Sequence, residues 1–140
     1  MSEEQAQQLL YQMQMLESYT TSLDQKEEAI MTFLREAISS VESIRGINQN
    51  QEFESLIPVG LGTYVKASVS GTSKVLLDVG AGILVEKEHD SAINYLESRI
   101  KELQVALNET ASQKHQALMR LEQLKQEMNR LIQSANTPQQ

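Results

Sequence analysis

Residues 3–45 and 91–135 contain no proline and no glycine, and each stretch carries an apolar repeat of seven residues. With Ala6 as position a, the a series is Ala6, Met13, Thr20, Glu27, Leu34 and Val41, and the d series is Leu9, Leu16, Leu23, Ile30, Ala37 and Ile44. Ten of these twelve residues are apolar. In the second stretch the a series is Ile93, Ile100, Leu107, Lys114, Leu121 and Met128, and the d series is Leu96, Leu103, Thr110, Ala117, Leu124 and Leu131, again ten of twelve apolar. A 3.5-residue apolar period over six heptads predicts a long helix whose apolar stripe needs a partner helix.

The simplest partner for each helix is the other, folded back as an antiparallel pair. With Ile44 opposite Ile93, Glu27 lies opposite Thr110, Leu23 opposite Lys114 and Thr20 opposite Ala117. All four polar seam residues then fall in one zone midway along the coil. Glu27 and Lys114 occupy adjacent layers and are placed to pair, which would fix the register at a cost in stability. Each helix would be roughly 65 Å long at 1.5 Å per residue. Aromatic residues make up 4% of the chain and tryptophan is absent, which suits long helices better than a compact globule.

All six glycines lie between Gly46 and Gly82, together with Pro58. Both residue types disfavour helix, so the two helices flank a non-helical middle. "TYVKASV" alternates Val65, Ala67 and Val69 with Lys66, Ser68 and Ser70. Ser70-Gly71-Thr72-Ser73 reads as a turn, and "KVLLDV", Gly80-Ala81-Gly82 and "ILVEK" follow. Upstream, "LIPV" precedes Gly60-Leu61-Gly62. Four short strands in two hairpins result, and the fold class is α+β: a long antiparallel coiled-coil hairpin with two central β-hairpins. Hairpins this small cannot bury their apolar faces or pair their edges alone, so they are expected to join hairpins of other subunits in shared β structure. The expected oligomerisation residues are Val65, Ala67, Val69, Val75, Leu77, Val79, Ile83 and Val85. The organisation is then a coiled-coil helix over 1–46, a double-hairpin oligomerisation region over 47–90, a second coiled-coil helix over 91–135 and a flexible tail over 136–140. Gly46 stops the first helix, and Asp90 or Ser91 caps the second.

Gly80-Ala81-Gly82 could suggest a phosphate loop, but such a loop must feed a helix and carry the lysine of a P-loop. Here a strand, Ile83-Leu84-Val85, follows, and the glycines read as a strand bend. There is no cysteine, which excludes thiol catalysis and cysteine-ligated zinc. The two histidines, His89 and His115, have no metal-like spacing and no serine elbow to serve. Glu86, Glu88, His89 and Asp90 read as a solvated strand-to-helix junction. No catalytic residue, cofactor or metal site is expected, and the chain is not expected to be an enzyme. Net charge is −7, and residues 91–140, the least acidic part, carry five acidic and six basic side chains. Without a concentrated basic patch, nucleic acid is not an expected partner. The acidic, polar start "MSEEQAQQLL" is not a signal peptide, and no apolar run approaches a membrane span. Membrane partners are not expected, and the expected location is cytoplasmic.

Surface remains. At the free end of the coil, Leu9, Leu10, Tyr11 and Met13 approach Met128, Leu131 and Ile132. Leu10, Tyr11 and Ile132 lie outside the seam. These seven residues are the candidate tip for binding apolar segments of other proteins, since leucine and methionine on flexible ends can repack.

Heptad helix, two hairpins and heptad helix together resemble an archaeal-type, two-hairpin alpha subunit of the prefoldin family. "LIPVGLGTYVKASV" and "SKVLLDVGAGILVEK" carry the resemblance most specifically. It implies a hexamer of two alpha and four beta-type subunits, with a β-barrel platform and coiled coils hanging from it. The tips would hold unfolded client proteins without ATP and pass them to a group II chaperonin. A structural coiled-coil adaptor joining folded partners is the competing reading; an RNA-binding arm like that of seryl-tRNA synthetases is disfavoured by the acidity.

Overall fold

A computed structural model describes residues 2–47, 49–72 and 74–136. The elements run α1 (Ser2–Arg45), β1 (Glu52–Gly60), β2 (Thr63–Ser70), β3 (Val75–Asp78), β4 (Leu84–Lys87) and α2 (His89–Asn136). The strands form two separate antiparallel pairs, β1 with β2 and β3 with β4. The chain divides into two compact units. One holds the helix segments up to Phe33 and from Leu103 onward, and the other is Leu34–Glu102.

The heptads set what the helices bury. All twelve a and d residues of α1 are buried or half-buried, and every other residue from Glu3 to Arg45 is exposed. The a and d residues of α2 are likewise sheltered; its other sheltered positions are His89, Ala92, Tyr95, Glu97 and Ala106. In the first unit Leu23, Ile30, Ala117, Leu121 and Leu124 form the buried apolar set. A fully buried leucine contributes about 1.5–3 kcal/mol relative to an exposed one. Thr110 is buried in the same unit, and its hydroxyl donates to the Ala106 carbonyl at 2.8 Å. Thr20 does the same to Leu16 at 2.8 Å. Both seam threonines are therefore satisfied within their own helix, so neither demands a cross-helix partner.

In the second unit Val41 and Ile44 of α1 meet Ala92 and Ile93 of α2, and Leu77 of β3 completes the core. Val75, Tyr95, Leu96 and Ile100 pack around it. The β3–β4 hairpin thus lays one face on the helices.

The two hairpins share a turn. Val59-Gly60-Leu61-Gly62-Thr63-Tyr64-Val65 recurs twenty positions later as Val79-Gly80-Ala81-Gly82-Ile83-Leu84-Val85. The φ angles repeat as well: 128°, 36° and 73° at residues 60–62, then 129°, 54° and 75° at residues 80–82. Successive positive φ values match the right-handed twist of the strands, and glycine makes them accessible. The second turn closes through Val79 N–H to Ile83 O at 3.0 Å and Gly80 N–H to Asp78 Oδ1 at 2.9 Å. Gly80-Ala81-Gly82 is a hairpin turn leading into a strand.

Three local expectations change. β1 begins at Glu52, upstream of "LIPV", because Phe53 and Ser55 continue its inward face. Val79 and Ile83 sit just outside β3 and β4. The Glu88 carbonyl accepts the Ala92 N–H at 2.9 Å, so α2 starts before Asp90 and Ser91. Ser73 of the expected turn and residues 137–140 of the expected tail lie outside the described residues.

Candidate functional site

Five of the seven tip residues line three surface depressions. Leu9 and Leu131 form the apolar floor of one open groove of about 470 Å³. Gln5, Gln8 and Gln12 wall it on α1; Arg120, Glu127 and Arg130 wall it on α2. Met128, Leu131 and Ile132 line a second groove of about 190 Å³ with Ala6, Ala135 and Glu3. Its other residues being nearly all apolar, the second groove offers contact and little hydrogen bonding. Tyr11 stands apart in a polar depression with Glu4, Gln7, Gln8 and Gln12. Leu10 is exposed, and Met13 is half-buried in the seam. The glutamine and arginine walls were not evident from periodicity, because heptad reading ranks positions by apolarity alone.

Further along this unit, Lys114 Nζ lies 2.6 Å from Asp24 Oδ1 and 3.7 Å from Glu27 Oε1. The lysine side chain is 29% exposed and that of Glu27 is 26% exposed. The Asp24 hydrogen bond holds the Lys114 amine above its ordinary value. Loss of water works against this, and the negative charges of Asp24 and Glu27 add to it. Asp24 is an e position, flanking the seam, so the heptad reading passed it over.

At the strand-to-helix junction, His89 corrects its expected setting. Its side chain is only 15% exposed. Nε2 donates to the Ile44 carbonyl at 2.6 Å, and Nδ1 lies 3.3 Å from Asp90 Oδ1. The ring is thus a second donor to a last-turn carbonyl that also accepts the Ile47 N–H at 3.1 Å. Arg45 pairs with Glu97 across the same helices. Among the described residues, no group of three or more His, Cys, Asp or Glu side chains is placed to hold a metal ion.

Both hairpins expose large apolar side chains. Ile57, Val59 and Val65 project from one face of β1–β2, and Leu56 and Tyr64 from the other; all five are 48–61% exposed. Ala67 and Val69 are half-buried. On β3–β4, Leu76 and Leu84 share the outward face at 57% and 60%. Val79, Ile83 and Val85 are exposed as well. Leu77 is a correction. At 8% exposure it is committed to the core of its own chain, with Val75 packed beside it, because β3 alternates and its odd-numbered side chains face the helices. Leu76 and Leu84, which the strand pattern did not single out, are the outward residues of that hairpin.

The sequence matches the prefoldin subunit family model over residues 3–134. This chain belongs to the prefoldin family. The prefoldin subunit alpha of Nitrosopumilus maritimus is 50% identical over 134 residues, covering 96% of this chain and 92% of that one. Prefoldin subunit alpha 1 of Thermococcus kodakarensis is 37% identical over 95 residues, covering 67% and 65%. The crystal structure of the prefoldin beta subunit from Thermococcus strain KS-1 aligns with a TM-score of 0.66 at 21% identity, covering 96% of this chain and 95% of that one, a likeness of fold. The filamentous prefoldin of Methanocaldococcus jannaschii, solved by cryo-electron microscopy, aligns at 0.53 with 26% identity, covering 89% and 98%. A prefoldin subunit is part of a chaperone and not an enzyme. No described helix of this prefoldin subunit is long and apolar enough to cross a membrane.

Proposed function

We propose that this chain is the alpha-type subunit of a cytoplasmic, ATP-independent holdase built from two alpha and four beta-type subunits. The hairpins join those of the other subunits in a shared β-barrel. The coil tips capture unfolded client proteins and hand them to a group II chaperonin. The observation that carries this reading is the exposed apolar surface of both hairpins, with Ile57, Val65, Leu76 and Leu84 each about half or more exposed. Such surface on an isolated chain marks an interaction site, and two-stranded sheets are marginal without neighbours. At the tip, several shallow grooves suit weak contacts that gain strength by avidity and still release.

The test is a native mass of the chain with a beta-type partner, followed by aggregation assays on several unrelated denatured proteins. A mixed hexamer that suppresses aggregation is the expected result. Removing roughly residues 1–12 and 127–140 abolishes suppression and leaves the hexamer intact. If truncation breaks the hexamer instead, the tips are structural and the adaptor reading replaces this one.

A further inference from the structure

The larger tip groove has a chemistry that a purely apolar grip does not need. Its floor is Leu9 and Leu131, one wall is amide, from Gln5, Gln8 and Gln12, and the other carries Arg120 and Arg130. Glu127 is the single carboxylate in the lining, and neither arginine is in an ion pair among the described residues. Arg120 donates to Gln123 Oε1 at 3.2 Å, a neutral acceptor that leaves its charge uncompensated. The groove lining is therefore net positive, two arginines against one glutamate, in a chain of net charge −7. The second groove, beyond Leu131, is lined by four other apolar residues and Glu3, with no cation. The two grooves differ in chemistry while sharing one leucine.

From this pairing of an apolar floor with amide and guanidinium walls we infer that the larger groove selects extended client segments in which an apolar residue is flanked by carboxylates. The inference rests on the holdase reading and specifies its clientele. An unfolded segment presents backbone N–H and C=O groups, and glutamine amides can both donate to and accept from them. An apolar side chain settles on Leu9 and Leu131. Arg120 and Arg130, ten residues apart on α2, stand roughly 15 Å apart along the helix. An extended strand covers that distance in about four to five residues, so acidic residues on either side of the anchor reach one guanidinium each. Arginine suits the task because its planar fork donates two parallel N–H bonds to one carboxylate. A lysine-flanked segment meets like charge in the same place.

The test uses the full chain, assembled with its beta-type partner, and three labelled peptides with the same apolar core. One is flanked by Asp and Glu, one by Ser and Gln, and one by Lys. The acidic peptide is expected to bind about fivefold tighter than the neutral one, the scale of two exposed ion pairs, and the lysine peptide weakest. The difference shrinks between about 0.1 M and 1 M salt as charges are screened. The double variant Arg120→Gln with Arg130→Gln is expected to level the three affinities. Equal affinity of all three peptides for the unaltered protein, or a ranking that survives the double variant, overturns the inference. In that case tip-dependent suppression of aggregation still stands on its own test. If no peptide binds, the inference fails; if truncating the tips also leaves suppression unchanged, client capture by the tips fails with it.

Discussion

Lys114 shows how one residue can tie together the polar zone of a mostly apolar seam. Its amine sits between Asp24 and Glu27, and the Asp24 bond raises its ionisation above the ordinary lysine value. A group raised in the folded state adds stability that is fully present below the unfolded value, and that stability is lost as pH rises through the folded value. Lys114→Met is therefore expected to lower the urea midpoint at neutral pH, with a deficit that narrows as pH rises from the ordinary lysine value of 10.5 through the higher folded value. A deficit that is constant across this range would mean packing, not charge, sets the effect. The Glu27–Lys114 proximity could be read from heptad layers; the shorter Asp24 contact could not, because e positions meet their neighbours only once the supercoil exists. His89 was hidden for a similar reason. Its acceptor, the Ile44 carbonyl, lies 45 residues away in sequence, at the end of the other helix. His89→Ala leaves that carbonyl with the Ile47 N–H alone and is expected to cost about 0.5–1.5 kcal/mol in chemical unfolding; a loss below the error of the measurement would show that the backbone bond and water suffice.

At the scale of elements, periodicity carried most of the information. Burial follows a and d positions through both helices, because a 3.5 period leaves one stripe that can face a partner. Leu124, at 1% exposure, is among the best buried of these residues. Leu124→Ala is expected to cost about 2–5 kcal/mol, the transfer term plus the cavity, read as a shift in the melting of the helical signal. The strands were less legible. Their alternation named the apolar positions, but which face turns to the helices depends on how β3 enters the core, and Leu77 rather than Leu76 proved to be inward. The turns follow a different logic. A Cβ at Gly60 or Gly80 would meet no atom within 4 Å, so space is not the constraint. The φ values of 128° and 129° are. Gly80→Val is expected to cost about 1–3 kcal/mol through backbone strain, with weakened subunit association and unchanged helix content. Loss of helix content along with association would place the strain in the coil instead.

For the whole molecule, the question is what covers the hairpins. A chain with net charge −7 is well protected from random association, yet Leu56, Ile57, Val59, Tyr64, Val65, Leu76 and Leu84 are 48–61% exposed. The solvated state of the lone chain therefore leaves a large hydrophobic driving force unused. β3–β4 gives the cleanest test, because its two faces serve different ends: Leu77 holds the hairpin to its own helices, and Leu76 and Leu84 point away from them. Leu76→Asp with Leu84→Asp places two charges on the outward face only. The expected outcome is a chain with full helical content and an unchanged melting midpoint that no longer joins a beta-type partner in a native-mass measurement. Leu77→Ala should do the reverse in order of events, lowering the midpoint by about 2–5 kcal/mol of core stability before association suffers. If the double aspartate variant still assembles, the outward face of this hairpin is not the contact, and the β1–β2 surface around Ile57 and Val65 must carry association alone.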